Sequence, residues 1–260
     1  MIFFARFRAI QEKDKAAVVR KLMQSSTLNF DFLYLTGLSV VMATLGLLAD
    51  SPAIVIGSML IAPILYPILG VALGLVMSNG EVLTRSLITL TKAVAVALGL
   101  SILVTLIFGN GLITSEIMMR VEPSIIHFLV AFVAGAAVSF ALAQPEWSAT
   151  LPGIAISVAL IPPLAVVGVG IAMLDMTIIS GSIEMLLINL FGIIFAAMVS
   201  FSLMNLYEKQ NIAESTIKRA DEDHQKEEEV VAEMQNGFKK EVANSDINDD
   251  KKNEERHHEV

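Results

Sequence analysis

The chain has 260 residues, 55% of them hydrophobic, with a mean hydropathy of +0.68 and a formal net charge of −8. Soluble domains are only about 45–50% apolar, and several runs here reach the ~20 apolar residues needed to cross a bilayer, so a soluble globular domain is excluded in favour of a polytopic helical membrane protein. The sequence has no cysteine, which excludes disulfides, thiolate catalysis and Cys-ligated metal sites.

Residues 1–30 form a basic arm. Its start, MIFFARFRAIQEKDK, does not read as a cleavable signal peptide, because the apolar stretch is short and no small-residue cleavage site follows. Arg6, Arg8, Lys13, Lys15, Arg20 and Lys21 alternate with Phe3, Phe4, Phe7, Ile10, Ala17, Val18 and Leu22 at roughly helical spacing. Two readings stay open. One is an amphipathic helix lying on the membrane surface; the other is a solvated arm that follows the Lys/Arg bias of cytoplasmic segments.

Six hydrophobic segments follow, within residues 31–207. The first runs from about Phe32 to Ala49 and ends at the turn Asp50-Ser51-Pro52, where Asp50 or Ser51 can cap the next helix. The second, 52 to about 78, carries Pro63 and Pro67 in its middle, so a kink or an unwound stretch is expected. The third spans about Thr84–Phe108 and contains Lys92, placed to snorkel to the surface. A loop, 109–122, leads to a fourth span from Pro123 to about Ala143, with His127 near its start. A polar break at Gln144–Trp147 precedes the fifth, about 150–174, interrupted by Pro162-Pro163. After a short loop at 175–182 the sixth runs from about Ile183 to Leu206. Asp50, Glu81, Glu122, Glu146, Asp175 and Glu184 all fall at segment ends, as solvated caps should.

The fifth segment repeats the second. At a spacing of 100 residues, Pro52/Pro152, Ile54/Ile154, Ile56/Ile156, Leu60/Leu160, Ile61/Ile161, Pro63/Pro163, Gly70/Gly170 and Ala72/Ala172 are identical. The fold class expected is therefore an all-α membrane protein of two three-segment repeats, residues 31–108 and 123–207, each with a proline-broken middle segment. If all segments cross, each half crosses three times and the halves are inverted; if the broken segments are re-entrant, the halves are parallel. The distribution of Lys and Arg favours full crossings with both termini cytoplasmic in the cell membrane.

Residues 208–260 are a charged tail with about sixteen acidic and nine basic residues. Helix is expected to about 243 and disorder beyond it, where the pair His257-His258 forms no motif.

In hydrocarbon every backbone polar group needs a partner, so a broken helix is tolerable only against protein or water. Its free groups then make a site for a small solute or ion. The candidate binding residues are Ser58, Ala62, Pro63, Tyr66 and Pro67 at the first break, and Ser157, Pro162 and Pro163 at the second. Asn189 in the sixth span is a further candidate, with hydrogen bonding between helices as its other use. Gly70, Gly74, Gly168 and Gly170 read as close-packing positions. The sequence has no H-E-x-x-H, G-x-S-x-G or phosphate-cradling motif, so neither an enzyme nor a nucleotide-driven pump is expected, and no cofactor or metal is implied. The acidic tail gives no sign of nucleic-acid binding. The expected partners are the lipid bilayer, a small solute or ion, and further copies of the chain.

At SPAIVIGSMLIAPILYPILG, and again at LPGIAISVALIPPLAVVGVGIA followed by INLFGIIFA, the sequence resembles the prokaryotic uncharacterised hydrophobic domain family. The likeness covers roughly residues 28–206. It rests on Ser51, Pro52, Gly57, Ala62, Pro63, Pro67 and Gly70 in the first copy, and on Pro152, Gly153, Pro162, Pro163 and Gly170 in the second, with Asn189 and Gly192 in the last span. The resemblance implies an integral membrane domain and names no substrate. Two functions remain: a passive or secondary transporter or channel with its site at the paired breaks, or a non-transporting scaffold or signalling component that uses the basic arm and the tail.

Overall fold

A computed structural model describes residues 11–25, 29–144, 160–219 and 222, and divides the chain into two units, 1–216 and 217–260. In the second unit the described residues are helical. In the first unit the described residues form helices α1 (Glu12–Ser25), α2 (Phe30–Leu48), α3 (Pro52–Met59), α4 (Leu65–Met77), α5 (Gly80–Phe108), α6 (Ser115–Met118), α7 (Ile125–Leu142), α8 (Ile161–Met173) and α9 (Met176–Leu203). A 3₁₀ turn at Leu206–Lys209 and a helical stretch at 210–216 follow. Helices α2, α5, α7 and α9 are long and apolar enough to cross a membrane. At 13 residues each, α4 and α8 measure only ~20 Å at 1.5 Å per residue, short of the ~30 Å hydrocarbon core.

Contacts between helices set their directions. The Thr44 hydroxyl of α2 lies 3.1 Å from the Ser101 hydroxyl of α5, and Thr114, just past α5, donates to the Leu47 carbonyl at 2.7 Å. Helices α2 and α5 therefore run the same way, up to a face that carries both following loops. Helix α3 descends along α2: Gly46 abuts Val55, Gly57 abuts Met42, and the Ser39 hydroxyl donates to the Ser58 carbonyl at 2.7 Å. Helix α4 packs along α5 and is joined to it by a two-residue turn, so it also descends. In the second half Gly181 abuts Val121, Gly192 abuts Ala131, and Gly135 abuts Ile193 and Ala196. Helices α7 and α9 thus descend together, and α8, turned tightly into α9, rises.

Two turns share one geometry. Ser78 and Leu174 both take a left-handed conformation, with φ of 51° and 56°. The next amides, of Asn79 and Asp175, reach back to the Gly74 and Gly170 carbonyls at 3.0 Å in each case. Their side chains then cap the following helices: Asn79 accepts from the Val82 amide, and Asp175 from those of Thr177 and Ile178. Gly74 and Gly170 are required where the helices part, because a Cβ would come 2.8 Å from the Leu83 nitrogen and 3.0 Å from the Ile179 nitrogen.

These caps explain where the elements differ from the sequence reading. Helix α5 starts at Gly80 rather than Thr84. Helix α9 starts at Met176, so residues 176–182 are helix and not loop. Ser180 and Ser182 looked like loop residues, but their hydroxyls donate to the Met176 and Ile178 carbonyls one turn back, which hides their polarity inside the helix. Glu184 consequently lies two turns inside α9, exposed. Asp50 caps a different helix from the one expected. It takes a left-handed turn (φ 52°) and accepts from the Ser115 hydroxyl and the Glu116 amide at the start of α6. His127 completes a capping box with Ser124 at the start of α7. Helix α1 buries Val18, Val19, Leu22 and Met23 and packs on α4 and the 3₁₀ turn, so this apolar face is spent on the protein and not on the membrane surface. Residues 145–159, with the first part of the fifth segment, and most of the tail lie outside the described residues.

Candidate functional site

The second hydrophobic segment is broken between Met59 and Leu65. Pro63 has no N–H, so the Met59 carbonyl four residues back loses its donor; Pro67 does the same to the Pro63 carbonyl, which the Tyr66 amide takes at 3.2 Å. The Leu60 and Ile61 amides turn back only three residues, to the Gly57 and Ser58 carbonyls. Among the described residues, the carbonyls of Met59, Leu60, Ile61 and Ala62 receive no hydrogen bond.

The break holds Ala62 and Pro63, both half-buried. Tyr66, also half-buried, and Pro67, buried, are the second and third residues of α4, so the helix resumes earlier than the prolines suggest. Proline fits there because first-turn amides have no intrahelical partner. Ser58 is fully buried and its hydroxyl donates to the Val55 carbonyl at 2.6 Å. That bond uses the hydroxyl's one hydrogen within its own helix and leaves the oxygen's acceptor capacity.

At the second copy, Pro162 and Pro163 are buried in the first turn of α8, whose start at Leu160 has no side-chain cap. Ser157 lies outside the described residues. Asn189, 5% exposed, is the fourteenth residue of α9 and much deeper than the two turns expected, because α9 starts earlier. Helices α4 and α9 pack together, which brings the α4 start and Asn189 to about the same height.

The described parts of the two proline-bearing segments share a layer. Ser101 donates to the Ala165 carbonyl at 2.7 Å and lies beside Thr44, so Ala165 is level with Thr44. Both α2 and α8 rise, which puts Ile161 level with Val40, one turn above Thr36. The antiparallel pairing of α2 with α3 places Thr36, one turn beyond Ser39, at the height of the chain beyond Ser58, in the first break. Thr36 was not among the residues singled out from sequence. It is fully buried and its hydroxyl has no hydrogen-bond partner. A threonine in an apolar span gives no sequence signal of this; only the register of α2 against α3 reveals it.

Charge gathers at the two ends, apart from Lys92, exposed twelve residues into α5, and Glu184, exposed two turns into α9. On the upper face Asp50 is held below the usual carboxylate range, first by the Glu116 amide and then by the Ser115 hydroxyl. Behind it Glu116, 2% exposed, pairs with Arg120 at 2.8 Å. On the lower face Glu12 bridges Lys15 at 2.8 Å and Lys209 at 2.5 Å, and their hydrogen bonds lower its pKa to about 2. Asn79 donates to Glu214 at 3.1 Å there.

The family described as "Domain of unknown function (DUF389)" matches residues 59–195, more than half of the chain and a span that takes in both proline pairs. The chain belongs to this family. The match begins at the first break and ends within α9, so the family domain contains the whole candidate site except Ser58 and Thr36. An uncharacterised protein of Methanocaldococcus jannaschii is 29% identical over 167 residues, 64% of this chain and 51% of that one. The chain thus spans about half the length of this relative. No solved structure matches.

Proposed function

We propose that the chain crosses a bilayer six times as two oppositely oriented three-segment halves, and that the paired breaks form the pathway of a small solute or ion. The observation that carries this reading is that α4 and α8 both begin at proline pairs inside the bundle and run in opposite directions. Further support comes from a spacing of 96 residues (175 less 79). At that spacing the two capped turns correspond, and the buried α5 residues Val82, Ser86, Thr89, Ala93, Ala97, Ser101, Val104 and Thr105 correspond to Ile178, Ser182, Met185, Asn189, Ile193, Ala197, Ser200 and Phe201, which are buried in α9. Charge supports cytoplasmic termini. The lower face carries Lys13, Lys15, Arg20, Lys21, Arg85 and Lys209, interspersed with Glu12, Asp14, Glu81, Glu208 and Glu214; of Lys and Arg the upper face carries Arg120 among the described residues.

Burial of Pro162 and Pro163 and the intrahelical bond of the Ser58 hydroxyl favour a second reading, a dry scaffold whose prolines shape packing. Single cysteines at Ala62, Tyr66 and Leu164 in this cysteine-free sequence decide between the two, with membrane-impermeant thiol reagents applied from each side. Labelling that changes side with ions or solutes supports transport. Silence at all three, while Gly80 and Gly111 cysteines react, leaves the scaffold.

A further inference from the structure

Every proline in the breaks removes an N–H donor and no acceptor. Pro63 leaves the Met59 carbonyl without its helical partner, and the carbonyls of Leu60, Ile61 and Ala62 are likewise unmatched among the described residues. Pro67, Pro162 and Pro163 strip amides from the first turns of α4 and α8, the positions that would otherwise favour an anion. The layer is therefore rich in acceptors. The lower end of α3 points into it and adds the negative end of a helix dipole. One turn beyond the Ser39–Ser58 bond stands the Thr36 hydroxyl, fully buried and unpartnered. A threonine in a helix ordinarily returns its hydroxyl to the carbonyl four residues back, as Thr44 does to Val40 at 2.8 Å. Thr36 does not.

We infer that the Thr36 hydroxyl and the carbonyls of residues 59–62 form a binding site for a dehydrated monovalent cation, resting on the transport reading above. Carbonyl oxygens replace the hydration shell of such ions in selectivity filters, and unwound carbonyls with half-helix C-terminal ends coordinate Na⁺ in transporters. The described interior groups of this layer are neutral, which suits a single charge; Lys92 of α5, level with Thr36 by the Thr44–Ser101 contact, is exposed on the outer side. A divalent ion calls for carboxylates, and those of the described membrane helices lie toward the ends or, as Glu184 two turns inside α9, are exposed.

The test is the melting temperature of the purified full chain in lipid nanodiscs, with Li⁺, Na⁺, K⁺ or Rb⁺ exchanged for choline at constant ionic strength, and then with chloride exchanged for gluconate. At least one alkali ion is expected to raise the melting temperature saturably, whatever the anion. Thr36→Val is expected to weaken that ion about tenfold, equivalent to ~1.4 kcal/mol, while leaving the melting temperature in choline equal or higher, because it removes an unpartnered hydroxyl. Pro63→Ala returns a donor to the Met59 carbonyl and is expected to weaken the ion as well. No saturable response to any alkali ion, a response that follows the anion, or a full response in Thr36→Val overturns the site. Binding without flux into liposomes keeps the site and removes the transport reading; flux without alkali-ion stabilisation does the reverse.

Discussion

The junction of α5 with α8 joins the two halves, and Gly168 makes its closeness measurable. A Cβ at Gly168 would lie 2.6 Å from both the Cβ and the Oγ of Ser101, where ordinary contact begins at 3.4 Å. Gly168→Ala thus forces the helices apart by about 0.8 Å, which stretches the 2.7 Å bond from Ser101 to Ala165 to the limit of a hydrogen bond. Overpacking costs ~1–3 kcal/mol and the interhelical bond is worth ~0.6–1.7 kcal/mol. Against this stands about 1 kcal/mol of helix propensity gained when glycine becomes alanine. The net expectation is a loss of roughly 1–4 kcal/mol. Ser101→Gly alone loses the bond and helix propensity, about 2 kcal/mol. The double variant places the Cβ in the space that Ser101 vacates. It should therefore be more stable than the sum of the singles by the relieved overlap, ~1–3 kcal/mol. Reversible unfolding in mixed micelles gives all four corners of the cycle. Additivity within ~0.5 kcal/mol would mean that the halves do not meet at Gly168, and the layer built on that junction would fall with it.

The lower face gives a pH prediction. The folded pKa of Glu12 is depressed to about 2, so its contribution to docking α1 is present above the unfolded value, ~4.3, and is lost as the pH falls through the folded one. Protection of α1 from proteolysis should persist to about pH 4.3 and decline below it, and Glu12→Gln should remove that dependence. The matching caps separate two roles. Asn79→Ala and Asp175→Ala should each cost about 1 kcal/mol of stability. Only Asn79→Ala also releases the bond to Glu214, so it alone should speed cleavage within 206–216.

The apolar spans and both proline pairs were legible in the sequence because length and proline act locally. Helix starts were less so. Asn79 and Asp175 were read as parts of loops, yet each opens a helix that includes the next several polar residues. The depths assigned to Asn189 and Glu184 followed that error, since both were counted from a start seven residues late.

The spacing of the copies shows the same limit. Identical residues align them at 100, through Pro63 with Pro163 and Gly70 with Gly170. The turns and buried faces correspond at 96, which pairs Pro67 with Pro163 and Gly74 with Gly170. The two differ by four residues, close to one helical turn of 3.6, so apolar and small residues recur on the same face at either spacing. Composition on a helix cannot separate two alignments one turn apart; the left-handed residues at 78 and 174 can, because a turn has one position. The choice bears on function. At 96, Pro163 matches the helical Pro67, and the partner of the open Pro63 is residue 159, an alanine. The two breaks then need not be alike, and the unmatched carbonyls at 59–62, with Thr36 at their height, belong to the first half. At the same spacing the residue that corresponds to Thr36 is residue 132, a phenylalanine. The Thr36 hydroxyl thus has no counterpart hydroxyl at the corresponding position of the second half.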